Sequence, residues 1–307
     1  MKLSHFNVLV AISERGSLRG AARQLGMTQP AMTRSIRELE RELGVQLFER
    51  SSSGVMPTDA GRAVTHHART IQLQMQHTLE DVQRYKGAET GTLSLALSTA
   101  AHVAILPRIL NPFRRRYPDV RLKIIEGLYP ALEASIRDGE IDTYVGPVPK
   151  DLRSRGLICD VLFENPRIIV GRRGHPLAGA TSIKDLVDAC WVTTPVMPNT
   201  ENEVKAIYEG AGLPTPRIVV QATSGMSIIS VVASTDLLAP APREWLELIP
   251  ATNLLVHIPI KEATFAPPIC AVRLERTQLS PPAQYLSDLI HRVAANHVRQ
   301  LAASAGK

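Results

Sequence analysis

The sequence has little of the chemistry that marks several protein classes. Cysteine occurs three times, as Cys159, Cys190 and Cys270, with no CxxC spacing. An odd, scattered set argues against a disulfide framework or a zinc site and predicts buried free thiols. No uncharged apolar run approaches the ~18 residues of a membrane helix, and Asn7 to Ile12 is too short for a secretory core, so a cytoplasmic protein with no membrane partner is expected. The nucleophile elbow GxSxG, the dinucleotide fingerprint GxGxxG and the phosphate-binding P-loop are all missing, which predicts no catalytic residues and no cofactor. His66 and His67 lack metal-ligand spacing, and Asp138, Glu140 and Asp142 straddle a helix end and a turn, so no metal is assigned. Proline is nearly absent from the first 86 residues, where only Pro30 and Pro57 occur, while the other 20 lie beyond residue 106. The first part can therefore be nearly all helix.

What is present is the composition of a folded chain. At ~150 residues per domain, 307 residues predict two domains. Apolar residues at 44% and charged residues at 21% are usual for a globular protein with a sizeable core. The net charge of +6 is unevenly spread, with 12 basic and 8 acidic residues in the first 86 positions against 23 and 21 in the rest. That asymmetry points to a polyanionic partner for the N-terminus.

Residues 1–60 read as three short helices and a hairpin. Leu3, Phe6, Val8, Leu9 and Ile12 form the apolar face of a first helix ended by Gly16. Ser17 caps a second, Leu18 to Leu25, stopped at Gly26. Thr28 caps a third with Pro30 in its first turn, facing inward through Ala31, Ile36, Leu39 and Leu43 up to Gly44. The outward residues Gln29, Thr33, Arg34 and Arg37 carry amide, hydroxyl and guanidinium groups suited to base edges and phosphates. Val45 to Arg50, the tip Ser51 to Gly54 and a return through Val55 and Met56 form a wing, from which Arg50 reaches phosphates or the minor groove. Any one of these arginines is more simply a solvated charge; the ordered combination is what points to nucleic acid.

A long helix capped by Thr58 or Asp59 and reaching about Lys86 carries Val64, Ala68, Ile71, Met75, Thr78, Val82 and Tyr85 at a 3.5-residue period. This predicts a coiled-coil seam and a homodimer, the alternative being packing on the chain's own core, for which no neighbouring segment stands out. Gly87 to Gly91 is a hinge. Beyond it, strand Thr92 to Thr99, a helix to Arg116, strand Val120 to Glu126, a short helix from Ala131 and strand Ile141 to Val145 predict a largely parallel, doubly wound sheet. A second subdomain begins near Arg167 and runs to about Phe265, with a return at Ile269 to Leu274 and a final helix from Ala283. The expected division is therefore 1–58, 59–86, 87–91 and 92–307, the last made of lobe I (about 92–165 and 267–307) and lobe II (about 166–266).

Ligands of such sheets bind at the carboxyl ends of the strands, beside helix N-termini. That singles out Ser98 and Thr99 after the first strand, Tyr129 after the second, and Gly146, Pro147 and Val148 after the third. Thr194, Met197, Ser224 and Met226 face them from the other lobe, and His102 adds a hydrogen-bonding or positive group. Hydroxyls, one tyrosine and two methionines suit a small organic acid with an apolar body, although Ser98, Thr99 and Ser224 serve equally well as helix caps.

The stretch GSLRGAARQLGMTQPAMTRSIRELERELGVQLFER, Gly16 to Arg50, followed by T-x-AG at Thr58 to Gly61, resembles the winged helix-turn-helix signature of LysR-type transcriptional regulators. The resemblance continues in length and domain order over nearly the whole chain. It implies an N-terminal all-α winged helix-turn-helix with a long coiled-coil linker helix, and a C-terminal α/β effector domain of two doubly wound lobes like those of periplasmic solute-binding proteins. By that resemblance Gln29, Pro30 and Thr33 contact bases, and Arg34, Arg37 and Arg50 contact phosphates or the minor groove. It also implies promoter DNA as the double-stranded partner, a tetramer built from dimers, a small organic effector between the lobes and RNA polymerase as a further partner. Gly127 to Ala131 and Arg137 to Asp142 resemble a branch of the family that controls aromatic-acid, aromatic-sulfonate or sugar use. The wing tip Ser51-Ser52-Ser53 departs from the many relatives with a second basic residue there, implying weaker minor-groove contacts. Two rivals, an enzyme built on the bilobed domain and a secreted solute receptor, leave residues 1–60 unexplained.

Overall fold

A computed structural model of the chain describes residues 1–51, 54–85, 90–149, 156–194, 203–247, 253–262, 264–275 and 279–305. These form two compact units, Met1–Ala88 and Glu89–Lys307.

The N-terminal unit runs α1 (Leu3–Arg15), α2 (Leu18–Gln24), α3 (Gln29–Leu43), β1 (Phe48–Ser51), β2 (Gly54–Pro57) and α4 (Asp59–Tyr85). Its punctuation follows the residues that signalled it. Gly16 takes the left-handed conformation that ends α1, the Ser17 hydroxyl accepts from the Gly20 N–H, and the Thr28 hydroxyl accepts from the Ala31 N–H. Leu9 and Ile12 from α1, Ala21 from α2 and Met32, Ile36 and Leu39 from α3 close the core. The inward face of α3 starts at Met32, since Ala31 is exposed. The wing strand starts at Phe48, three residues later than expected, because Glu40 of α3 accepts hydrogen bonds from the N–H groups of Leu47 (2.8 Å) and Phe48 (3.3 Å). Those bonds tie the wing's entry to the helix.

The wing is fixed from its other end by the T-x-AG segment. Thr58 donates from its backbone to Leu47 O (3.0 Å) and from its hydroxyl to Gln46 O (2.8 Å), and accepts from the Gly61 N–H (2.9 Å). A Cβ on Gly61 would sit 1.9 Å from Leu47 O. The linker helix differs from expectation in its first half. Ala68 is fully buried in the core formed by α1 and α3, with Val64 and Ile71 packed beside it, so these three positions of the seam lie on the chain's own α1. Farther along, Met75, Leu79 and Val82 are 42%, 66% and 45% exposed. The side chain of Tyr85 lies outside the described residues.

The second unit contains β3 (Gly91–Leu97), α5 (Thr99–Ala104), α6 (Leu106–Arg116), β4 (Val120–Glu126), α7 (Tyr129–Arg137), β5 (Thr143–Pro147), β6 (Leu157–Arg172), β7 (Cys190–Thr193), α8 (Glu203–Gly210), β8 (Arg217–Gln221), α9 (Gly225–Ser234), β9 (Ala239–Pro242), β10 (Leu255–Ile258), β11 (Thr264–Leu274) and α10 (Pro281–Ala305). Lobe I pairs β4, β3 and β5 in parallel and continues antiparallel through β11 and β6. Lobe II uses the far half of β6 with β9 and β10, while the parallel pair β7–β8 joins β9 through a bridge between Trp191 and Leu238. The sheet is thus parallel where helices connect strands, and antiparallel where the chain crosses between lobes on β6 and returns on β11. The single helix expected before Arg116 is two, broken at Ile105, with Pro107 in the first turn of α6. Leu95 and Leu97 pack with Ile109, Phe113 and Ile290 on one face of lobe I, and Ala96 with Tyr129, Ile136 and Tyr144 on the other.

Of the three thiols only Cys270 is buried, and burial pushes its pKa up to about 12. Cys159 is exposed and Cys190 partly so, because both sit where their strands meet solvent. A buried pair links α10 to the turn at 243–247: His297 Nε2 lies 3.1 Å from Glu244 Oε1, with the side chains 2% and 0% exposed.

Two outcomes are expected in chemical denaturation. Gly61→Ala destabilises the N-terminal unit by roughly 1–3 kcal/mol, since backbone atoms of Leu47 must move; an unchanged midpoint would contradict the close approach. His297→Leu destabilises the second unit by about 3–5 kcal/mol because Glu244 is left buried without its partner, and adding Glu244→Leu restores much of the loss.

Candidate nucleic-acid interface and interlobe cleft

On α3, residues Gln29, Pro30, Thr33, Arg34, Arg37, Glu38 and Arg41 line one open surface groove. All five α3 positions singled out from sequence fall in it. They face outward because Met32, Ile36 and Leu39, at steps of four and three, turn inward. Pro30 fits the first turn, where its missing N–H leaves nothing unpaired. The Thr33 hydroxyl donates to Gln29 O at 3.0 Å, so what it presents outward is its methyl and a remaining lone pair, suited to a thymine methyl. Arg41 was not singled out from sequence, although it follows Arg34 and Arg37 by seven and four positions on the same face. Glu38 is drawn to α1, with Oε2 3.6 Å from His5 Nε2. The three guanidinium groups and the positive end of α3 form an electropositive ridge of the kind that docks in a major groove. Arg50 is on β1, and its side chain lies outside the described residues.

In the second unit a narrow cavity of about 40 Å³ lies between the lobes, well below the ~300–1,000 Å³ of open small-molecule sites. Lobe I contributes Ser98, Thr99 and Ala100 at the start of α5, Leu128, and Pro147 at the end of β5. Lobe II contributes Thr194, Gly225, Ile228, Pro240, Pro242 and Trp245, and the crossing strands add Asn165, Arg167 and Ala266. Ser98, Thr99, Pro147 and Thr194 are therefore brought together as the strand-end argument predicts.

Other expected positions lie elsewhere for identifiable reasons. Tyr129 is fully buried in lobe I, its ring 6.0 Å from that of Tyr144. The Tyr144 hydroxyl accepts from the Tyr129 N–H and donates to Pro147 O, both at 3.1 Å. Burial pushes the Tyr144 phenol far up, so it stays a donor. Gly146 makes room for that phenol, since a Cβ there would lie 2.2 Å from its oxygen; Val148 is buried in the same cluster. These three hold the β5 end from behind the cleft. His102 places Nδ1 3.1 Å from Ser98 O, on its own helix. Ser224 caps α9 by accepting from the Ser227 N–H at 3.2 Å, and Met226 is 69% exposed. Met197 lies outside the described residues.

Sequence reading missed the residues with the most telling chemistry. Arg167 Nε donates to Glu203 Oε2 at 2.8 Å, with both side chains largely buried. Asn165 donates from Nδ2 to Pro267 O at 3.1 Å. Its buried Oδ1 and the buried indole N–H of Trp245 have no hydrogen-bond partner among the described residues. Across the cleft, Glu126 at the end of β4 accepts from the Gly225 N–H of α9 at 3.0 Å. The lobes approach so closely there that a Cβ on Gly225 would meet Thr99 Cγ2 at 2.6 Å. Asn165 and Arg167 sit on a long crossing strand without a motif, so nothing in their spacing marks the cleft side. Among the described residues no helix is long and apolar enough to cross a membrane.

Comparison with known proteins bears on both units. Residues 3–62 match the family described as bacterial regulatory helix-turn-helix protein, lysR family, and residues 86–295 match the LysR substrate binding domain. The chain is 28% identical over 287 residues to the HTH-type transcriptional regulator GbpR of Azospirillum brasilense, covering 92% of this chain and 84% of that protein. It is 29% identical over 238 residues to AlsR of Bacillus subtilis (strain 168), covering 76% and 78%. Among solved structures, full-length CbnR complexed with its target DNA superposes with a TM-score of 0.73 at 20% identity, covering 95% of this chain and 100% of that one, a likeness of fold. With an exposed recognition helix in one unit and a bilobed cleft in the other, both matched along their length, the chain belongs to the LysR family of DNA-binding transcriptional regulators.

Proposed function

We propose that this regulator binds promoter DNA as an assembly of dimers whose output is set by a small organic effector held between the two lobes. The observation that carries the reading is the gathering of Gln29, Pro30, Thr33, Arg34, Arg37 and Arg41 on one outward face of α3, beside a unit whose cleft collects polar groups from both lobes. Gln29 and Thr33 read base edges; the arginines and Arg50 hold phosphates or the minor groove. Two copies join along the exposed half of α4, where Met75, Leu79 and Val82 repeat at steps of four and three in the manner of a coiled-coil seam.

The effector acts by binding one assembly state more tightly than another, because equal affinity for both would leave output unchanged. The Glu126 to Gly225 N–H bond spans the cleft and is the contact that lobe opening breaks. The reading assigns this chain no catalysis, in keeping with relatives that are transcriptional regulators.

In fluorescence anisotropy with DNA from upstream of its own gene, Arg34→Ala is expected to weaken binding to operator and random DNA alike and to reduce the salt slope by about one. Gln29→Ala instead narrows the gap between operator and random DNA by roughly 1–3 kcal/mol. Equal losses on both DNAs for the two variants would sink the division of roles. Leu79→Glu combined with Val82→Glu should lower the number of subunits seen by sedimentation equilibrium, and an unchanged assembly would remove the seam from α4.

A further inference from the structure

A helix that docks on DNA needs its cations free for phosphates, yet α3 is formally neutral: Arg34, Arg37 and Arg41 are matched by Glu38, Glu40 and Glu42. Its positive ridge therefore depends on where the three carboxylates go. Glu40 accepts from the N–H groups of Leu47 and Phe48, and Glu42 meets the amine of Met1. Glu38 is the critical one, because it lines the same groove as the arginines, four positions after Arg34 and three before Arg41. Those are the spacings at which a carboxylate and a guanidinium pair on a helix surface. Neither pair forms, and Arg34, Arg37 and Arg41 make no ion pair among the described residues. Glu38 instead points to α1, with Oε2 3.6 Å from His5 Nε2. The His5 side chain is 7% exposed against 44% for Glu38, so the imidazole is the fixed member of the two. Its Nδ1 is buried with no hydrogen-bond partner among the described residues. The hydrogen of the neutral ring therefore belongs on Nε2, where the carboxylate waits, and the cation carries one there in any case. In both states the ring turns a positive edge toward Glu38, and at 3.6 Å the attraction is electrostatic.

We infer that His5 is a positioning residue for DNA binding, which holds the Glu38 carboxylate toward α1 and so leaves Arg34 and Arg41 free for phosphates. The inference rests on the reading of α3 as the helix that meets DNA. Without the imidazole, Glu38 is free to turn to the guanidinium groups three and four positions away, which removes one cation from the groove and sets a carboxylate against the phosphate backbone. The loss concerns charge and not base edges, so operator and random DNA are affected alike.

The test is a double-mutant cycle on the full-length protein, with His5→Phe, Glu38→Gln and the two combined, read by fluorescence anisotropy on operator and random duplexes over a range of salt. His5→Phe keeps a ring in the buried position and removes the N–H; it is expected to weaken binding to both duplexes roughly three- to tenfold and to reduce the salt slope by about one. Glu38→Gln is expected to return affinity and slope in the His5→Phe background, and to raise affinity by less in the otherwise unaltered protein. A loss through damaged packing of α1 would not be returned by a change at the exposed Glu38. His5→Gln, which keeps a donor N–H, is expected to retain more affinity than His5→Phe and serves in its place if a thermal melt shows His5→Phe unfolded. Equal effects of Glu38→Gln in both backgrounds, or a His5 substitution that leaves binding and salt slope unchanged, overturn the inference while the loss caused by Arg34→Ala keeps α3 on the DNA. If Arg34→Ala also leaves binding unchanged, the reading of α3 falls with it.

Discussion

The antiparallel pairing of β6 with β11, from Leu157 opposite Leu274 to Arg167 opposite Thr264, is the constraint on which the effector unit depends. Both lobes are built outward from this ribbon: β5 and β3 extend it on one side, and β9 and β10 flank its far end. Because the ribbon crosses from one lobe to the other, the residues at its lobe II end, where β11 begins, belong to neither core. Asn165, Arg167 and Ala266 therefore line the cleft. The register shifts in the pairing near Ala266 and Ile269 fall at that crossing, where a bulge bends and twists a strand.

The DNA-binding unit answers to a different constraint, the close approach of α4 to the wing. Gly61 lies against Leu47 O, Thr58 binds the backbone of Gln46 and Leu47, and Glu40 binds the N–H groups that begin β1. The residues by which the family signature is recognised are thus, in large part, those that join three elements through backbone contacts. Their side chains hold the wing and set α3 with its polar face outward. The outward positions Gln29, Thr33, Arg34 and Arg37 lie between them on the helix, outside the core.

Charge is handled in the same economical way in both units. In the second unit Glu203 pairs with Arg167, and Glu126 accepts from the first turn of α9. On α3 the arginines are exposed and Glu38 is turned toward His5, so the outward charge is positive. The outward charge on α3 favours a polyanion at long range.

Helix punctuation, the recognition face and the alternation of strands and helices were legible in the chain itself. Ser17, Thr28, Gly16 and Gly44 act on residues three or four positions away, and apolar periodicity is a property of one element. Ser98, Thr99, Pro147 and Thr194 were legible too, because strand ends follow from element order. The packing of Val64, Ala68 and Ile71 on α1, the retreat of Tyr129 behind Tyr144, and the entry of Asn165, Arg167 and Trp245 into the cleft were decided only in three dimensions. Each depends on partners far along the chain, such as Glu203 for Arg167 or Pro267 for Asn165, and no local periodicity records which distant surface a side chain will meet.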